Sequence, residues 1–193
     1  MLSENVTQPL LSYIRRYVEL SQEDVDAINS AYQTRPFKKG DFFIHQGDHI
    51  DEVAFVIEGV MRVYRTDKGK EVTLFLRDEN SFVTSVTGYS THRLSPYSVQ
   101  ALEDSTLLVM TSEDRATLFE ESQAYQRFSM MMLERTVQDM EGRIDSQIAD
   151  NAADRYLRLL QDHPSLIQRV PQYHLASYLG VTPESLSRLR KYL

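Results

Sequence analysis

The sequence predicts an α+β protein: an antiparallel, jelly-roll-like β-roll with flanking helices, then one long helix, then a helix–turn–helix. Three observations carry this. Glycine-containing turns recur at short intervals after Thr34, with apolar, β-rich segments between them. Apolar residues then recur at 3-4 spacing from Met130 to Ile144. The chain finishes on HLASYLGVTPESLSRLRKYL, two short helical patterns joined at a glycine.

Taken in order, Leu10, Leu11, Ile14 and Val18 share one face of a first helix over about residues 7–17. Ser21 ahead of Glu23 and Asp24 marks the start of a second, with Val25 and Ile28 inward. Gly40-Asp41, Gln46-Gly47-Asp48, Glu58-Gly59 and Asp67-Lys68-Gly69 then punctuate FFIH, VAFVI, VMRVYR and VTLFLR. Val, Phe, Ile and Tyr make these segments strands. SPYSVQALED and STLLVMT add two more, the second a continuous apolar run predicted to be buried. From Ser112 a single helix is predicted to about Asp145. Its seam of Met130, Leu133, Val137, Met140 and Ile144 either packs on the roll or joins two copies, and its persistence over several turns favours the dimer. NAADRYLRLLQDHP predicts a helix with Ala152, Tyr156, Leu157 and Leu160 inward, ending before Pro164, and a shorter helix starts near Pro171. The domains expected are the roll over 1–111, the dimerisation helix over 112–146 and the helix–turn–helix over 147–193.

The charge is uneven. The formal net charge is -7, yet from Asp150 onward six Lys and Arg face four Asp and Glu. That leaves +2 on the C-terminal piece and -9 on residues 1–149, so any contact with nucleic acid must be local. No apolar run approaches the roughly 20 residues of a membrane span, and the start has neither a basic nor an apolar leader region, so a cytoplasmic protein without membrane contact is expected. The absence of cysteine excludes disulfides, cysteine-held iron–sulfur clusters and cysteine-ligated haem or zinc.

The last two helices have a packing reason at each position. Leu175, Ala176 and Leu179 line the first, and small Ala176 admits a close crossing. Gly180 suits the turn, Val181 fills the corner, and Leu186 and Leu189 anchor the second helix. Thr182 is its N-cap and Pro183 its first residue. The outward face then holds Pro183, Glu184, Ser187, Arg188 and Lys191. Arg188 suits guanine O6 and N7, and Glu184 suits a cytosine amine. Glu184 would repel phosphates, which favours base reading, although it also suits a helix N-terminus. Thr182, Ser185, Lys191 and the nearby N–H groups suit phosphate. His174 is read as meeting phosphate or solvent.

With FKKGDFFIHQGDHIDEVAFVIEGVMRVYR ahead of the long helix and PESLSRLRKYL behind it, the chain resembles the Crp–Fnr (cyclic-AMP receptor protein-like) family of bacterial transcription regulators. The resemblance runs from about Thr34 to Leu193. It implies a cyclic-nucleotide-binding-like sensor roll and a homodimer joined along the long helix. It implies a winged-helix-like reader with Glu184 and Arg188 at the base-reading positions. The wing is expected to be reduced or absent. The partners implied are double-stranded DNA, a small-molecule effector of unknown identity, and RNA polymerase.

The sensor departs from the family. Cyclic-nucleotide binders carry a Gly-Glu pair for the ribose and an Arg-Ser pair for the phosphate. Here SFVTSVTGYSTHRLSPYSVQA places Thr84-Ser85 and Ser95-Pro96 there, and Pro96 lacks an N–H. A buried phosphate would have no cation. Cyclic-nucleotide binding in the usual way is therefore not expected. A pocket formed by Val83, Thr84, Ser85, Ser95, Tyr97 and Ser98 holds another molecule or is filled by Tyr89 and Tyr97. His45 and His49 read as a solvated turn rather than a metal site, since Gly47 breaks any shared face. The Met130-Met131-Met132 run reads as core or seam. No nucleophile elbow, P-loop or H-E-x-x-H is present, so an enzyme is not expected. The competing reading is a ligand- or partner-binding module with a vestigial helix–turn–helix.

Overall fold

The computed structural model of the 193-residue chain describes residues 6–86 and 93–192. Helices α1 (Gln8–Ile14) and α2 (Gln22–Ala31) precede eight strands: β1 (Gln33–Phe37), β2 (Phe42–Ile44), β3 (Glu52–Glu58), β4 (Met61–Asp67), β5 (Lys70–Arg77), β6 (Phe82–Val83), β7 (Ser98–Ala101) and β8 (Ser105–Thr111). Helices α3 (Ser112–Glu121), α4 (Gln123–Ala149), α5 (Ala152–Asp162), α6 (Pro164–Arg169), α7 (Gln172–Leu179) and α8 (Pro183–Tyr192) follow. Tyr89, predicted as a pocket filler, lies outside the described residues.

The strands form two four-stranded antiparallel sheets, β1-β8-β3-β6 and β2-β7-β4-β5. Alternation explains why VAFVI and TLLVM are continuous apolar runs: both of their faces are covered. Ala54, Val56, Leu107 and Val109 point into the roll with Met61, Val63 and Val99. Phe55, Leu108 and Met110 point outward, against Leu10, Ile14, Ile28, Leu118, Tyr125 and Phe128 of the flanking helices. Full burial of each such large side chain contributes about 1.5–3 kcal/mol. The β4–β5 hairpin turns through Lys68 and Gly69, both at positive φ, the geometry that matches strand twist. Gly59 (φ 103°) is required sterically, because a Cβ there would collide with Ser105.

The structure corrects the sequence-based elements in three respects. β1 and β6 were not anticipated, nor was α6. The helix predicted over 112–145 is two helices, broken at Ser122. There the Ser122 N–H closes α3 on Leu118, its Oγ accepts from the Tyr125 N–H to cap α4, and its hydroxyl donates to Asp24. The long helix accordingly runs Gln123–Ala149, starting later and ending later than expected. In α5 the inward residues are Tyr156 and Leu159, whereas Leu157 and Leu160 are exposed. That helix meets its neighbours one residue round from the predicted face.

A third core joins the two ends of the chain. Val60, Leu76 and Leu102 of the roll pack with Tyr156, Leu159, Leu166, Leu175, Leu179 and Leu186. Arg169 of α6 ties the junction, reaching Glu79 (2.6 Å) and Glu103 (2.5 Å). Hydrogen bonds from Arg169 hold the Glu79 carboxyl down at about 2.

Candidate functional site

α7 and α8 cross over fully buried Leu175, Ala176 and Leu186, as the sequence predicts. Gly180 adopts φ 70°, and the Val181 N–H returns to the Ala176 carbonyl at 3.0 Å, ending α7 with a left-handed residue. The Thr182 hydroxyl accepts the Ser185 N–H at 3.2 Å and so caps α8. Beyond this cap Pro183, Glu184, Arg188 and Lys191 are exposed, and Ser185 and Ser187 half-buried. Glu184 and Arg188 lie one turn apart. The Glu184 backbone N–H, the Thr182 hydroxyl and Arg188 hold the Glu184 carboxyl below its usual range, so it is an anion and an acceptor at neutral pH. Arg188 Nη2 lies 3.3 Å from Ser185 Oγ.

Next to this face the structure adds Gln172 and Tyr173, which share a shallow depression with Pro183, Glu184 and Ser187. Gln172 donates to the Pro183 carbonyl at 3.0 Å and Tyr173 is largely exposed. An exposed aromatic at the start of α7 was the available signal.

His174 is the main correction at this end. It is buried, not turned to solvent or phosphate, because α7 lies on the β4–β5 hairpin. The Thr73 N–H donates to Ser177 Oγ at 2.9 Å across that contact. Beneath it Arg62, fully buried, bonds Thr73 (2.9 Å) and Glu71 (2.7 Å). Burial first, and then Arg62, push the His174 imidazole down to about 4, while Glu71 opposes them. His174 is therefore neutral at physiological pH.

The residues of the predicted seam, Met130, Leu133, Val137, Met140 and Ile144, are all exposed on α4, from 37% to 63% of their surface. Ile148 continues the stripe. By contrast Ala124, Tyr125 and Phe128, at the start of the same helix, are buried against the roll.

The expected ligand-pocket residues divide. Val83 and Thr84 line a largely apolar cavity of about 360 Å³ between the roll and α4, together with Val63, Phe75, Phe128, Met132 and Leu133. Arg77 and Arg115 stand at its wall. Ser85, Ser95, Tyr97 and Ser98 do not line it. Ser95 Oγ instead bonds the Tyr97 backbone (2.7 and 3.1 Å), and Ser98 Oγ accepts from the Gln46 N–H (2.9 Å). Tyr97 packs on the roll core. Among the described residues no cluster of His, Cys, Asp and Glu could hold a metal ion, and no helix is long and apolar enough to cross a membrane.

Residues 34–122 match the cyclic nucleotide-binding domain family. The transcriptional activator protein anr of Pseudomonas aeruginosa is 26% identical over 185 residues, covering 89% of this chain and 75% of that protein. The cyclic AMP receptor protein of Thermus thermophilus is 26% identical over 175 residues, covering 88% and 81%. Among solved structures, the catabolite activator protein of Thermus thermophilus superposes with a TM-score of 0.59 at 23% identity, covering 94% of this chain and 86% of that one. FixK2 of Bradyrhizobium japonicum gives 0.69 at 14%, covering 84% of each. At these identities the two structures share the fold.

Proposed function

We propose, from the chain's membership of the Crp–Fnr family, that it is a homodimeric, sequence-specific DNA-binding regulator with α8 as its reading helix. The observation that carries this is the exposed pair Glu184 and Arg188, one turn apart behind a formed cap and above a closed helix–helix core. An acceptor and a bidentate donor at that spacing suit two bases on a major-groove edge, with Lys191, Ser187 and the first N–H groups of α8 on the backbone. The exposed stripe on α4 supports the dimer, since about four turns of apolar surface need a cover. Two copies would set two reading helices about 34 Å apart. Such a regulator works in the cytoplasm and acts on RNA polymerase.

The roll is the sensor in this reading, without the usual cyclic-nucleotide chemistry. At the nucleotide-anchoring positions stand Thr84, Ser85, Ser95 and Pro96, and the Thr84 hydroxyl is bonded to the Glu52 carbonyl (2.8 Å). The apolar cavity shared with α4 is where an effector would bear on the dimer helix.

Selection from a random duplex pool at near-physiological salt tests the reader. A two-fold symmetric site, with half-sites about one helical turn apart, is the expected result. A pool that stays unenriched, with the dimer present, favours the module whose roll binds a ligand or partner and whose helix–turn–helix is vestigial.

A further inference from the structure

We infer that the crevice where β5, α4 and α5 meet is a binding site for a small phosphate-bearing anion, next to the apolar cavity of the roll, with which it shares Phe75 and Arg77. The crevice measures about 340 Å³. Arg77 of β5, Arg143 of α4, and Arg155 and Arg158 of α5 line it, with Asp139 and Asp162 as the carboxylates of its wall. Four guanidiniums face these two carboxylates and a third, Asp150, on Arg158, which leaves a small local excess of positive charge in a chain of net charge -7.

The hydrogen bonds show which of these cations are already occupied. Arg158 pairs with Asp150 at 3.0 Å. Arg77 lies 3.9 Å from Asp139, beyond hydrogen-bond reach. Among the described residues neither Arg143 nor Arg155 has a carboxylate within 4.0 Å; both hold main-chain carbonyls. Arg143 Nη2 donates to Tyr178 (3.0 Å) and Thr73 (3.5 Å). Arg155 donates through Nε to Leu179 (3.0 Å) and through Nη1 to Asp150 (2.6 Å) and Ser146 (3.5 Å). Arg143 Nε and Nη1, Arg155 Nη2 and every N–H of Arg77 therefore have no hydrogen bond to the described residues. Burial, with Arg155 and Arg77 repelling it, lowers the Arg143 guanidinium from its usual value, and Tyr178 opposes that.

Donors arriving from three elements suit a tetrahedral anion with several oxygens better than a planar carboxylate. Such an anion would also offset the repulsion among the three cations. Its consequence rests on the proposed reader. Bound to Arg77 on the roll, Arg143 on the dimer helix and Arg155 beside α7, it would favour the docked arrangement of sensor and reader over any in which they separate.

The experiment is calorimetric titration of the full chain with inorganic pyrophosphate at constant ionic strength, in the absence of DNA. One saturable site per chain is expected. Arg77→Gln should weaken it about tenfold or more, and Asp139→Asn should tighten it. The Arg77 side chain has no hydrogen bond to the described residues, so its variant should keep the β4–β5 ladder and the carbonyl contacts of Arg143 and Arg155. A nucleoside diphosphate titrated alongside separates a nucleotide from a free phosphate; saturation by either at the Arg77-dependent site sustains the inference. No saturation, affinity unchanged by Arg77→Gln, affinity no better than for sulfate, or displacement by a short DNA duplex would each overturn it. Failure of the DNA selection leaves this result standing, so the two readings fail separately.

Discussion

The roll with its flanking helices and the surface formed by α4 and α8 satisfy their side chains differently. In the first, Phe55, Leu108, Tyr125 and Phe128 meet one another within a single chain, and the first turns of α4 are part of that core. In the second, the same helix carries exposed apolar residues from Met130 to Ile148, and α8 presents a carboxylate and a guanidinium to solvent. One region is finished by its own chain; the other is left open to solvent. Apolar periodicity alone does not separate the two, because Phe128 and Met130 are close neighbours in one continuous pattern.

The strongest test of that division is Phe128→Ala. It should cost about 3–5 kcal/mol of folding stability, measured by denaturant unfolding, with no dependence on protein concentration. A concentration-dependent loss would move Phe128 to the unfinished region. Next is His174, which belongs to the finished region although it lies on α7, beside the proposed reading helix. Its pKa falls from 6.5 in the unfolded chain to about 4 when folded, so the folded state binds fewer protons. Stability it supports is complete above 6.5 and is lost as pH falls towards 4, by about 3 kcal/mol in all. Comparing unfolding curves with those of His174→Gln should isolate this slope.

The unfinished region should respond in function instead. Leu133→Asp combined with Val137→Asp should leave the circular dichroism intact, yield a monomer by light scattering, and lower affinity for a two-half-site duplex about 10²-fold. Loss of the fold would show that these residues pack intramolecularly. The smallest effect is expected from Arg188→Ala: about 1–3 kcal/mol on the selected site, relaxed preference at one base pair, and an unchanged melting temperature.

Much of this was legible in the sequence. Gly59 and Gly180 marked real turns, Thr182 a real cap, and the α4 stripe a real exposed face. The failures share a cause. QTRPF has Pro36 and polar residues, yet pairs as β1 because β8 beside it offers a full edge. Ser122 breaks a helical pattern through a bond to Asp24, 98 residues away. His174 is buried by Arg62 and the β4–β5 hairpin, which local pattern cannot bring together. Of the ligand-pocket residues, those on β6 and just after it reached the cavity. Of the serines further on, Ser95 closes hydrogen bonds within its own loop and Ser98 accepts one from Gln46 across the roll.

The interruption at Ser122 has a mechanical consequence. A helix of 27 residues is about 40 Å long. Joined to α3 at Ser122 and packed on the roll by Ala124, Tyr125 and Phe128, it is an arm whose far end magnifies any tilt of its first turns. A tilt of about 5° at Ser122 displaces Ala149 by about 3.5 Å, close to the 3.4 Å step between successive base pairs. A disturbance too small to register as a rearrangement beside the roll thus becomes, at the far end of α4, a displacement as large as one base-pair step, which is the scale that matters if α8 reads DNA as proposed.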